Sequence, residues 1–64
     1  MYNRIINTED IMLKIKVTEI ETGRVHYGYL IEDMKFKIRT WNETKTVEMH
    51  YPTATHKYEY IQEG

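Results

Sequence analysis

Cysteine and serine are both missing from this 64-residue chain, alanine and proline occur once each, as Ala54 and Pro52, and glycine occurs three times. Without cysteine there is no disulfide framework and no thiolate zinc site, which fits a reducing compartment. Without either residue the commonest covalent nucleophiles are gone. Three scattered glycines form no phosphate-cradling loop, and no pair of catalytic carboxylates stands out. No apolar run is long enough for a signal-peptide core or a membrane span. These absences lead us to expect a cytoplasmic protein that is not an enzyme, uses no cofactor or metal, and contacts no membrane.

What fills the chain instead is Ile, Lys, Asn, Tyr, Thr, Glu and Met. A/T-rich codons encode these residues, so a low-GC bacterium or its phage is the expected source, and for a phage protein the expected compartment is the host cytoplasm. A chain of this length reads as one small β domain over residues 1–64. Such a domain buries only about 60% of the surface its unfolded chain exposes, so a second copy covering more of it, as in a homodimer, is expected.

Hydrophobicity alternates with period two almost throughout. Leu13, Ile15 and Val17 alternate with Lys14, Lys16 and Thr18; Val25, Tyr27, Tyr29 and Ile31 with His26 and Gly28; Met34, Phe36 and Ile38 with Lys35, Lys37 and Arg39. Val47, Met49 and Tyr51 then alternate with Thr46, Glu48 and His50, and Tyr58 and Tyr60 with Lys57 and Glu59. Runs of this length, rich in β-branched and aromatic residues, predict an all-β fold: an antiparallel meander of about five strands. Residues 1–10 read as an edge strand or a short helical lead-in with Thr8 as N-cap.

Turn chemistry sets the expected register. A three-residue loop of Glu21, Thr22 and Gly23, with Gly23 in the left-handed conformation, places Val17 opposite Tyr27 and Ile15 opposite Tyr29. A two-residue turn at Glu32 and Asp33 places Tyr29 opposite Phe36 and Tyr27 opposite Ile38. Residues 42–45 form the next loop, with Ile38 opposite Met49. Pro52 ends the fourth strand because it cannot donate to a ladder, and Tyr51 then faces Tyr58. One apolar face would run across all five strands, curling into an SH3-like or OB-like barrel or dimerising through that face.

The opposite face is predicted to carry Lys14, Lys16, His26, Lys35, Lys37, Arg39, Trp41, His50 and Lys57, with six of the chain's nine lysines and arginines. Gly28, paired with Lys37, would leave a dip in its middle. A basic sheet face with an accessible aromatic suits docking to another protein, the expected partner, or binding of single-stranded nucleic acid, the alternative. It also suits a face that is merely solvated. Net charge is −1, so steering toward a polyanion would be weak. His26 and His50 share this face two strands apart, roughly 10 Å, and His56 has the other parity, which excludes a three-histidine metal site. His26 and Glu48 flanking Arg39 are the nearest thing to an acid–base pair. Tyr58 and Tyr60, on the last strand, offer an edge to a partner's sheet. Together these features describe a small non-enzymatic binding protein, such as a phage or mobile-element inhibitor that occludes a host enzyme or defence factor.

Overall fold

The computed structural model describes residues 12–62, so the expectations for residues 1–10 lie outside it. Five strands are present: β1 (Lys14–Glu19), β2 (Val25–Asp33), β3 (Lys37–Trp41), β4 (Glu48–Pro52) and β5 (His56–Tyr60). They form one sheet in the order β4-β3-β2-β1-β5, each neighbouring pair antiparallel. All-β architecture and strand number agree with the alternating pattern. Register and closure do not.

The first hairpin has a four-residue loop, residues 20–23, in place of the expected three. The Glu19 N–H donates to the Arg24 carbonyl and the Gly23 N–H to the Glu19 carbonyl, both at 2.8 Å. Gly23 is left-handed as expected, at φ 77°. The Thr22 hydroxyl donates to the Glu19 carboxylate at 2.7 Å and accepts from the Arg24 N–H at 3.1 Å. One extra loop residue slips the ladder by one, so Val17 faces His26 and Ile15 faces Gly28. Because the side-chain period is two, the slip turns β2 over. His26, Gly28 and Leu30 join Ile15 and Val17 on the inner face, and Tyr27 and Tyr29 move to the outer one.

The β2–β3 turn falls at Lys35 and Phe36, where the Met34 N–H donates to the Lys37 carbonyl at 2.9 Å. Glu32 and Asp33 are strand residues, paired with Arg39 and Ile38, and a bulge between Leu30 and Glu32 turns the end of β2 over, so that Asp33 joins Ile38 on the inner face and Glu32 faces outward. Phe36, expected in the core, is 76% exposed in the turn. Ile38 lies opposite Tyr51, two residues from its expected partner Met49, so here the parity survives. In the β3–β4 loop the Asn42 side-chain oxygen accepts from the Thr46 and Val47 N–H groups at 2.7 and 3.0 Å.

β5 does not pair with β4; it returns to β1, with Val17 opposite Tyr58. The two strands lie at opposite edges of the sheet. β4 ends beside Lys37 at the start of β3, and β5 begins beside Glu19 at the end of β1, so residues 53–55 join diagonal corners. In a flat sheet those edges would be roughly 19 Å apart across four strand spacings. Four chain links span at most about 14 Å, and the Thr55 N–H donates to the Pro52 carbonyl in a tight turn at 3.2 Å. The sheet must therefore be strongly twisted and curled. Two clamps hold the corner: the Thr53 N–H on the Phe36 carbonyl at 3.1 Å, and the Ile20 N–H on the Thr55 carbonyl at 2.9 Å. The curl remains open, and the expected closed barrel is not formed among the described residues.

Inside the curl Ile15, Val17 and Ile38 are buried, with Leu30, Tyr51 and Tyr58 packed against them. The Tyr51 ring stacks on His26 at 5.4 Å and meets His56 at 5.2 Å, tying β2, β4 and β5 together across the interior.

Candidate binding surface

Of the residues expected on the basic face, Lys14, Lys16, Lys37, Arg39, Trp41, His50 and Lys57 fall on the outer face by register. His26 does not: the slipped register carries it inside, against Tyr51. Lys35 sits in the β2–β3 turn with its ammonium 5.4 Å from the Phe36 ring. Gly28 pairs with Ile15, not Lys37, and makes no outer dip. A Cβ there would overlap the Trp41 carbonyl oxygen, so the glycine permits close approach of β3.

The same slip brings in aromatics that alternation alone puts in the core. Lys14, Tyr29, Trp41 and Glu48 form one row across four strands, and Glu59, Lys16 and Tyr27 form the next. The Tyr29 ring lies under two cations, Lys45 at 4.6 Å and Lys14 at 5.9 Å. Lys45 reaches it from a left-handed loop position, φ 62°, that is costly for any residue but glycine or asparagine. Tyr27 is 46% exposed. A phenolic hydroxyl is more easily hydrated here than in the small interior, which gives a physical reason for tyrosine on this side.

Carboxylates interlace the cations. Arg39 donates to Glu48 through Nε at 2.7 Å and to Glu32 through Nη1 at 3.0 Å. His50 Nε2 donates to the same Glu48 oxygen at 2.7 Å, and its Nδ1 accepts from the Lys37 ammonium at 3.3 Å, an arrangement that requires the Nε2–H tautomer. Held by Arg39 first and His50 second, the Glu48 carboxyl is pulled down to about 2. Lys16 pairs with Glu59 at 3.7 Å and Lys14 with Glu43 at 3.8 Å. A stripe that reads as basic in sequence is thus a mixed-charge surface. The bulge is what brings Glu32 to Arg39, and nothing in the alternation of residues foretells it.

The suggested His26–Glu48 pairing is lost, because the two lie on opposite faces. Nor do His26 and His50 share a face; His26 and His56 do, both against Tyr51. Among the described residues no three His, Asp or Glu side chains converge as a metal cage. An open cleft of about 440 Å³ lies between the start of β2 and the β3–β4 loop, lined by His26, Tyr27, Asn42, Met49 and Tyr51 among others. Glu43 and Thr44 line it as well, but the polar side chains of that loop are already engaged, Asn42 and Thr44 with each other and with Thr46, and Glu43 with Lys14. Tyr58 and Tyr60 lie on β5, an edge strand as expected, with their rings edge-to-face at 5.8 Å. Among the described residues no helix is long and apolar enough to cross a membrane. No family model, curated protein or solved structure matches this chain.

Proposed function

We propose that the protein is a small non-enzymatic binding module that docks another protein on its outer sheet face, with Tyr27, Tyr29 and Trp41 as anchors. The observation that carries this reading is the row in which Tyr29 and Trp41 pair across β2 and β3 between Lys14 and Glu48. Rigid amphipathic rings surrounded by charges of both signs are the composition of a protein-binding hot spot. Because Arg39, Lys16 and Lys14 already hold carboxylates, a polyphosphate chain would have to displace those partners to bind. This favours a protein over nucleic acid. The curled five-stranded sheet fits a small, half-closed SH3-like barrel. Occlusion of a host enzyme or defence factor by a phage- or mobile-element-encoded chain in the host cytoplasm is the role that best suits so small a binder.

Pull-down from a low-GC bacterial lysate with and without nuclease tests the reading, in parallel with the Trp41→Ala and Tyr29→Ala variants. We expect one dominant protein that survives nuclease, weakens only modestly with salt, and is lost with either aromatic. Retained nucleic acid, released steeply by salt and abolished by Lys37→Glu with Arg39→Glu, would replace this reading with a nucleic-acid surface.

A further inference from the structure

The free edge of β5 has a backbone pattern and a charge pattern that select the same partner. On the β1 side the Ile61 N–H donates to the Lys14 carbonyl and the Ile20 N–H to the Thr55 carbonyl, both at 2.9 Å. Antiparallel backbone groups alternate in direction, so the odd-numbered residues of β5 bond β1 while His56, Tyr58 and Tyr60 aim their N–H and C=O groups away from it. No strand pairs with that side among the described residues. At the other edge of the sheet, Asn42 bonds Val47 and Phe36 bonds Thr53, so Glu48, His50 and Pro52 point outward. Pro52 has no N–H to offer, and β4 is blunted where β5 is not.

We propose that β5 pairs antiparallel with β5 of a second copy about a two-fold axis at Tyr58, continuing the sheet through the dimer. Even-numbered residues must face even-numbered ones for the ladder to form, which leaves three central registers. Pairing His56 with Tyr58 of the second copy puts Lys57 opposite Lys57, and pairing Tyr58 with Tyr60 puts Glu59 opposite Glu59. Only Tyr58 opposite Tyr58 sets Lys57 against Glu59 of the second copy, twice by symmetry. That register also lets His56, Tyr58 and Tyr60 use all their outward backbone groups. Lys57 has no ionic partner among the described residues, and Glu59 is open, 70% exposed and in loose contact with Lys16 at 3.7 Å.

Sedimentation velocity of the full chain tests the pairing, with K57E and E59K as variants whose folds are checked by circular dichroism. The wild type should form a concentration-dependent dimer. Each variant alone places like charges opposite one another and should dimerise roughly tenfold more weakly. An equimolar mixture of the two should recover the wild-type affinity, because every cross-strand pair is then again of opposite sign. A chain that stays monomeric up to about 1 mM overturns the proposal. So does a dimer indifferent to both substitutions, or a mixture that fails to recover.

Discussion

Tyr58 on β5 donates its phenolic hydrogen to the Asp33 carboxylate at the end of β2, 2.6 Å away, joining strands that share no ladder. The bulge in β2 makes this contact by turning Asp33 inward, and the bond adds a side-chain tie across the curled sheet to the two backbone clamps at its corner. Replacing Tyr58 with Phe should cost about 1 kcal/mol, read from the urea midpoint. The bond to Asp33, helped by burial and by Tyr60, holds the Tyr58 proton well above the ordinary tyrosine range. Since the folded state keeps that proton more tightly, the contribution is full below the unfolded value near 10 and is lost as pH rises beyond it. Stability should therefore fall above about pH 10 in the wild type and fall less in the Phe variant.

Gly28 and Gly23 are glycines for different reasons, and alanine separates them. At Gly28 the added methyl meets the Trp41 carbonyl oxygen, part of the β3 backbone. Gly28→Ala should cost at least about 2 kcal/mol and disturb the β2–β3 ladder, seen as lost amide protection in hydrogen exchange. At Gly23 nothing lies within 4 Å of such a methyl, and only the φ of 77° resists it. Gly23→Ala should cost about 1 kcal/mol and leave the ladders intact.

The core is small enough for one side chain to decide folding. Ile15 is 0% exposed between β2 and β5. Removing its outer carbons should cost about 2–5 kcal/mol, comparable to the whole stability of a domain this size. Ile15→Ala should be largely unfolded at 25 °C by circular dichroism. Phe36→Ala, in the exposed turn, should shift the urea midpoint by no more than about 0.5 kcal/mol, although period two makes Phe36 look like a core residue.

Glu48 provides an acid-side test. Its carboxyl sits at about 2 because Arg39, and then His50, bond the charged form. A group depressed in the folded state stabilises above its unfolded value, near 4.3, and that contribution disappears as pH falls toward 2. Carbon-13 titration should show Glu48 ionising near 2, and Arg39→Gln should raise the midpoint toward the usual carboxylate range. The pair is at the surface, so the shift should shrink with added salt.

Strand number, the left-handed Gly23, the Asn42 loop and β5 as an edge were legible in the sequence, because each depends on local propensity or on a period that spans a few residues. The candidate site is half legible: alternation puts Lys14, Lys16, Lys37, Lys57 and Trp41 on the face where they lie, but puts Tyr27, Tyr29 and His26 on the wrong faces and Lys35 on a strand when it lies in a turn. Residues 20–23 accommodate a three-residue or a four-residue hairpin loop with little to choose between them locally. The choice rests on the Ile20 N–H held by Thr55 and on the close approach of Trp41 to Gly28, contacts made across 13 to 35 positions of chain.

The sequence by itself determined that this chain alternates, that it makes about five strands and which residues are polar. Tertiary structure alone decided which side of β2 faces inward, that β5 returns to β1, and that carboxylates from β2, β4 and β5 sit among the cations. The physical reason is that a period of two specifies two faces equally well. Only when the diagonal corners of the curled sheet are tied together does one of them become the interior.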